Sequence, residues 1–288
     1  MSYLNKYGLT LDPQFTERTI QAIHDNLNKW MSKPTLIQML GLIDLTTLNA
    51  TDTPTKVSNL VNKVNLFQTN FPNYPNPASI CVYPNFASLI RQELKASGVG
   101  ITTVAGCFPA SPSYPEVKVL ESKLAVENGA TEVDIVLALN AFMDKNFEAS
   151  FDEIAQIRKA IPSAHLKVIL ETGALLYPEL IAEASFLAMK AGADFIKTST
   201  GKMEPAATPA AAIVMCQCIK RFYEVTGKKI GFKPAGGISS AKDAACYYAI
   251  VETILGKEWL CPELLRFGAS RVTNNILSEL EERTVTYY

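Results

Sequence analysis

Ala193-Asp194-Phe195-Ile196-Lys197-Thr198-Ser199-Thr200-Gly201-Lys202 and Ile230-Gly231-Phe232-Lys233-Pro234-Ala235-Gly236-Gly237 share one plan. Each is a short apolar run that ends in a lysine and then turns through small residues. Each reads as a strand that delivers an ammonium group to its buried end. Lysine is rarely buried without a partner, so such a strand is costly to build for stability alone. A single strand-end lysine is more often salt-bridged or snorkelling. Two in succession point to amines that converge on one site. A second cation, or apolar surroundings, lowers an amine pKa and leaves part of it neutral and nucleophilic, which is the chemistry of a Schiff-base enzyme.

Outward from these stretches, short apolar runs alternate with helical patterns. Strands are expected near 40–44, 79–83, 101–105, 132–137, 167–171, 193–197, 229–233 and 264–268. Helices are expected near 54–67, 84–96, 115–128, 148–160, 178–191, 207–226, 239–254 and 270–282. Pro54, Pro178 and Pro209 stand near helix starts, where a missing N–H matters little. Eight strand-then-helix units without a low-complexity linker predict a closed parallel (β/α)8 TIM barrel. A doubly wound open sheet would leave two units as additions, and no Gly-x-Gly-x-x-Gly opens the first. Ahead of the barrel, Phe15, Ile20, Ile23, Leu27 and Trp30 fall near helical spacing. Residues 1–34 are therefore read as an N-terminal helical extension and 35–288 as the barrel. The apolar stripe of that extension must be covered within the chain or by a second copy, so a homodimer is one expectation.

In a barrel the reacting groups belong at the C-terminal strand ends. Asp44 ends the first strand, Asp134 interrupts the fourth, and Glu171 ends the fifth. A carboxylate inside an apolar strand is expensive unless paired, and Asp134 facing a lysine would meet that demand. Lys197 and Lys233, in either order, would supply the nucleophile and the group that depresses its pKa, with Asp134 as proton relay. The bland alternative is a Lys-Asp-Lys network that only braces the barrel. Gly236-Gly237 and Gly268-Ala269-Ser270 each precede a helical pattern, where backbone N–H groups and the helix dipole favour an anion. Their place on the seventh and eighth loops points to a phosphorylated substrate, with Lys202 adding a charge.

The bulk composition narrows the classes. The chain has 288 residues, 48% hydrophobic and 19% charged, with a formal net charge of -1. Near-neutral charge gives no reason to expect a nucleic acid or an anionic membrane as partner. The six cysteines show no zinc-type spacing and there are two histidines, so no metal site is expected. Met1-Ser2-Tyr3-Leu4-Asn5-Lys6 lacks the apolar core of a signal peptide, which predicts a soluble cytoplasmic protein.

The chain resembles the deoxyribose-phosphate aldolase family of class I aldolases. The resemblance lies in Asp44-Leu45-Thr46-Thr47-Leu48, Cys81-Val82-Tyr83-Pro84, Glu132-Val133-Asp134, Leu170-Glu171-Thr172-Gly173 and Ala207-Thr208-Pro209. It is strongest in the two lysine stretches and continues to Arg266-Phe267-Gly268-Ala269-Ser270. It implies Lys197 as the Schiff-base lysine, Lys233 as the cation that lowers its pKa, and Asp134 as proton relay. It further implies that Asp44 and Thr46 support the imine, and that Gly201, Lys202, Gly236, Gly237, Gly268 and Ser270 bind phosphate. The implied reaction is reversible cleavage of 2-deoxy-D-ribose 5-phosphate to glyceraldehyde 3-phosphate and acetaldehyde, in deoxyribonucleoside catabolism, without metal or organic cofactor. Some members use a C-terminal tyrosine, which offers Tyr288 as an assisting residue; by itself the tail reads as a frayed end. Ser111, Ser239 and Arg271 depart from the family pattern.

Overall fold

The computed structural model describes residues 2–288. Its centre is one parallel sheet of eight strands: β1 Ile43–Thr46, β2 Ser79–Val82, β3 Gly100–Ala105, β4 Glu132–Val136, β5 His165–Ile169, β6 Phe195–Lys197, β7 Gly231–Lys233 and β8 Phe267–Ala269. Strands adjacent in sequence pair from β1 through β7, and β8 returns to pair with β1. Bridges Phe232–Leu265 and Ala235–Gly268 close the remaining seam. There the Phe232 N–H donates to the Leu264 carbonyl at 2.8 Å. The fold is a (β/α)8 TIM barrel, in which closure leaves no sheet edge unpaired.

Helices α1 (Tyr3–Tyr7), α2 (Pro13–Asp25) and α3 (Lys33–Leu40) precede β1, and α4 (Pro54–Asn65) and α5 (Phe67–Asn70) follow it. The outer layer continues with α6 (Ala87–Glu93), α7 (Pro115–Glu127), α8 (Leu139–Met143), α9 (Phe147–Ala160) and α10 (Thr172–Leu175). It is completed by α11 (Pro178–Lys190), α12 (Pro209–Thr226), α13 (Ala241–Leu255) and α14 (Arg271–Glu281). Pro54, Pro178 and Pro209 each occupy the first helical position. Among the described residues no helix is long and apolar enough to cross a membrane.

The departures from the sequence reading lie at element ends. The first strand begins at Ile43 rather than near 40, because Leu36, Met39 and Leu40 bury at helical spacing after Pro34 and form α3. The helix expected over 84–96 is a 3-10 turn at Pro84–Phe86 followed by the shorter α6. The pattern over 15–31 divides into α2 and a 3-10 turn at Leu27–Trp30. Its stripe is largely covered by the chain itself: α2 packs against α12 and α13, and Ile23 and Trp30 are buried. Tyr7 of α1 stacks on Phe186 of α11 at 4.4 Å.

Gly231, at the start of β7, shows how tightly the barrel interior is filled. A Cβ at that position would overlap the ring of Phe195 on β6. Phe195 lies low in the barrel, one inward position below Lys197, and its ring occupies the space that a β7 side chain would otherwise take. Overpacking a filled core costs about 1–3 kcal/mol. A Gly231→Ala variant is therefore expected to unfold about 1–3 kcal/mol more easily, measured by urea denaturation.

Candidate active site

The inward-facing positions of the barrel carry ionised side chains where such interiors usually hold branched apolar ones. Asp44 on β1, Glu132 and Asp134 on β4, Lys167 on β5, Lys197 on β6, Lys233 on β7 and Arg266 just before β8 are all buried. The alternation of strands makes this possible, because Glu132 and Asp134, two residues apart, point to the same side. Register then brings Lys197 level with Lys233 and Asp134 level with Lys167.

Asp134 is the hub. Its Oδ2 accepts from Lys197 Nζ at 2.8 Å and from Lys233 Nζ at 2.8 Å. Its Oδ1 accepts no hydrogen bond but faces Lys167 Nζ at 3.3 Å. Lys233 also contacts Asp44 Oδ2 at 2.5 Å. Below, Arg266 spans the barrel, with Nη1 donating to Asp44 Oδ1 at 2.6 Å and Nη2 to Glu132 Oε1 at 2.8 Å. Lys167 donates to Glu132, and Ser79 Oγ donates to Asp44 Oδ1 at 2.7 Å. Burial alone would raise the Asp134 carboxyl pKa, but Lys197, Lys233 and Lys167 outweigh it and hold it well below the usual range. Asp44 is held low in the same way by Lys233, Lys167 and Arg266. Burial disfavours the charge on Lys233, yet Asp134 and Asp44 reverse that and raise its pKa above the ordinary ammonium value.

Above this cluster opens a cavity of about 530 Å³ whose lining includes Lys197. Thr46, Gly201, Lys202, Gly236, Gly237, Gly268 and Ser270 line it too, as do Ser239 and Arg271. The other ionised members of the cluster, Lys233, Asp134 and Asp44 among them, lie beneath and do not line it. The walls are fixed locally. Thr198 Oγ1 accepts from the Ala235 N–H at 2.9 Å, tying the β6 and β7 ends together. Glu171, in a left-handed conformation with φ 53°, accepts from Thr200 Oγ1 at 2.5 Å and from the Thr200 N–H at 3.2 Å. Gly201, Gly236 and Gly237 have φ of 74°, 81° and 75°, the left-handed region that glycine enters most easily. Thr46 Oγ1 donates to the Asp44 carbonyl, and Lys202 Nζ donates to the Leu48 carbonyl at 2.6 Å.

The two helix starts at this mouth differ. At α13, Ser240 and Asp243 form a capping box, and Asp243 also accepts from the Ser239 N–H. At α14, Ser270 makes no side-chain cap, so the first-turn N–H groups of that helix are not satisfied by a capping side chain.

Tyr288 is not at a frayed end. Asn274 Oδ1 accepts from the Tyr287 and Tyr288 N–H groups at 2.9 Å each, and Asn274 Nδ2 donates to the Tyr288 carbonyl at 2.9 Å. The Tyr288 ring stacks on Phe67 at 5.7 Å. Its hydroxyl is buried without a partner beside a second cavity, which shares Thr46, Thr47, Asn49, Ser270 and Arg271 with the first. Burial pushes its phenol pKa well up. Ser111 has a φ of 75°, where glycine is at ease, and its hydroxyl both donates to the Val136 carbonyl and accepts from Lys118.

Sequence reasoning missed Lys167, Glu132 and Arg266 as members of the cluster. Lys167 carried the signal already used for Asp134, a charge inside the apolar run Leu166-Lys167-Val168-Ile169. Arg266 carried it too, inside Leu264-Leu265-Arg266-Phe267, although only the barrel closure brings it across to Glu132. Among the described residues no cluster of three or more His, Cys, Asp or Glu side chains is arranged to hold a metal ion.

The pH dependence of stability follows in sign. Asp44 and Asp134 are lowered, so their contribution is complete above about pH 4 and is lost as pH falls through their folded values. Lys233 is raised, so its contribution is complete below about pH 10 and is lost as pH rises through its folded value. Arg266→Leu leaves Asp44 and Glu132 short of a cation and is expected to lower stability by about 3–5 kcal/mol near neutrality. The deficit should shrink as pH falls and those carboxyls protonate, measured by urea unfolding at several pH values.

Comparison with known proteins places the chain in a family. The model of the DeoC/LacD family aldolase matches residues 38–247, a span that holds Asp134, Lys197 and Lys233 and stops before β8. The deoxyribose-phosphate aldolase of Homo sapiens is 41% identical over 279 residues, 93% of this chain and 87% of that protein. That of Mus musculus is 40% identical over 274 residues, 92% and 85% of the two chains. A solved structure of deoxyribose phosphate aldolase from Aeropyrum pernix, described as a unique tetramer, aligns with a TM-score of 0.66 at 25% identity, covering 91% of this chain and 97% of that one. The chain belongs to the DeoC/LacD family of aldolases and is a lyase.

Proposed function

We propose that this chain is a class I aldolase that reversibly cleaves 2-deoxy-D-ribose 5-phosphate to D-glyceraldehyde 3-phosphate and acetaldehyde, through an imine on Lys197. The observation that carries the reading is that Lys197 belongs to the buried charge cluster and also lines the cavity. Lys233 lies beneath it, with both Asp44 and Asp134 on its ammonium. Lys197 therefore takes the nucleophile's role and Lys233 that of the fixed cation. The cluster's four cations, Lys167, Lys197, Lys233 and Arg266, face three carboxylates, Asp44, Glu132 and Asp134. A neutral Lys197 amine leaves these charges balanced.

In the cleavage direction the Lys197 amine attacks the C1 aldehyde of the open-chain sugar, and loss of water gives the imine. The C3 hydroxyl loses its proton, the C2–C3 bond breaks, and its electron pair passes into the iminium to form an enamine. Glyceraldehyde 3-phosphate departs. The enamine carbon then takes up a proton, and water releases acetaldehyde and free Lys197. Asp134, on the same oxygen as both amines, is the relay for these protons, directly or through water. The iminium itself is the electron sink, so this chemistry requires neither metal nor organic cofactor. Asp44 supports the site from below by holding Lys233, and Thr46 lines the cavity beside the imine.

The phosphate belongs at the far wall of the cavity. Gly236 and Gly237 after β7, Gly268 and Ser270 after β8, and Gly201 with Lys202 after β6 would present N–H groups and one ammonium to it. The uncapped start of α14 supports the Ser270 side as the dipole end of this subsite. Tyr288, clamped by Asn274, borders the adjoining cavity and would assist proton transfer. The role in the cell would be breakdown of deoxyribonucleoside sugars in the cytoplasm.

Incubation with acetaldehyde and sodium borohydride, followed by intact-mass measurement and peptide mapping, tests the assignment. A single ethyl adduct on Lys197 is expected, with none in Lys197→Leu, and that variant should lose at least about a thousand-fold in retro-aldol activity. An adduct on Lys233 would exchange the two lysine roles, and no adduct on folded protein would reject the imine mechanism.

A further inference from the structure

Glu171 carries two costs that the barrel alone does not explain. It is buried, yet every hydrogen bond its carboxylate accepts comes from one uncharged residue, Thr200. Burying a carboxylate without a cation is expensive. Its φ of 53° also lies in the left-handed region, which residues other than glycine seldom enter. Costs of this kind concentrate at functional sites. Glu171 does not line the cavity beside Lys197, whereas Thr200, Gly201 and Lys202 do. Its influence on the cavity therefore runs through those three residues.

The turn after β5 shapes the loop after β6. Glu171, Thr172 and Gly173 each meet that loop. Glu171 holds Thr200, and the Thr172 N–H donates to the Thr198 carbonyl at 2.9 Å. The backbone of Gly173 lies so close to Pro205 that an added Cβ would stand 2.0 Å from the Pro205 carbonyl oxygen. Between Thr200 and Pro205 the chain is an exposed, irregular bend, so these contacts fix both of its ends. The bonds at Thr200 also have a direction. Its hydroxyl gives its one proton to Glu171, which leaves a lone pair to accept from the Lys202 N–H at 3.0 Å. With the N–H groups of Thr200 and Lys202 both occupied, the Gly201 N–H between them has no acceptor among the described residues.

We infer that Glu171 is the positioning residue for selection of a phosphorylated substrate, a role that rests on the phosphorylated sugar proposed above. By fixing Thr200 and, through its hydroxyl, Lys202, it holds the Gly201 N–H and the Lys202 ammonium in place for the phosphate. Without Glu171 the Thr200 hydroxyl is free to turn and the Lys202 N–H loses its acceptor. The phosphate sits at the far end of the sugar from the aldehyde carbon that meets Lys197. Glu171 therefore serves binding of the phosphate end and not the bond-making steps.

Steady-state cleavage of 2-deoxyribose 5-phosphate and of 2-deoxyribose by the full chain tests it. The ratio of kcat/KM for the two sugars does not depend on how much of a variant folds. In Glu171→Ala that ratio is expected to fall about ten-fold, through a higher KM for the phosphorylated sugar, and the inhibition constant of inorganic phosphate to rise by a similar factor. Glu171→Gln keeps one acceptor oxygen and should lie between. Thr200→Val should match Glu171→Ala, and the two changes together should be no worse than either, because they break one chain of contacts. An unchanged ratio in Glu171→Ala overturns the proposal, as does a loss of kcat equal for both sugars, which is what a merely structural role would give. Additive losses in the double variant overturn the route through Thr200. A wild type without preference for the phosphorylated sugar rejects the substrate reading and this role with it, a result seen before any variant is made.

Discussion

The rest of the structure depends on one contact: the Asp134 oxygen that accepts from two buried ammoniums at once. An isolated ion in a barrel interior is prohibitively expensive, and a pair is tolerable only when its geometry is good and its other polar atoms are met. Asp134 therefore demands Lys197 and Lys233, Lys233 demands Asp44, and Asp44 demands Arg266 and Ser79. Arg266 in turn demands Glu132, which is held by Lys167. In the register observed, each charge of the cluster meets at least one opposite charge. On the proposed mechanism, bracing and chemistry are the same network seen at two depths.

Depth sorts the roles. Arg266 and Lys167 at the lower level each face more than one carboxylate. Lys233 is sealed with two carboxylates, and its charge is fixed by them. Lys197 has Asp134 alone and lines the open cavity. On the proposed imine mechanism, a gradient from saturated to unsaturated pairing would leave one of the four cations to react while the others hold the field. The cavity wall obeys a related economy of partners. α13 satisfies its own first turn through Ser240 and Asp243, whereas α14 leaves its first turn without a capping side chain, facing the same space.

The rule that a buried charge must be partnered also explains a helix on the outside of the barrel. Lys118 and Glu153 fix the rotation of α7, and its apolar residues are turned outward as a consequence. An interior ion pair thus sets the phase of a single outer helix, and the loop carrying Ser111 is held by the same lysine.

The (β/α)8 order, the two strand-end lysines, the mid-strand carboxylate and the glycine turns were all legible in the sequence. They are local signals: periodicity, a charge in an apolar run, and glycine at turns after strand ends. The same reading placed Lys202, Gly236, Gly237, Gly268 and Ser270 near a common mouth and the family resemblance added Gly201; all six line it. The start of β1 was misjudged because a short apolar run satisfies helix and strand alike until its neighbours choose. Which lysine meets the cavity was also beyond it, since Lys197 and Lys233 stand in equivalent local contexts and share one register level, so that only the cavity distinguishes them. Arg266 reaching Glu132, Tyr288 held by Asn274, and the outward stripe of α7 each depend on contacts between residues far apart in the chain. A sequence determines such a charge is present and will need a partner; only closure of the barrel decides which partner it finds, because pairing is settled by distance in space.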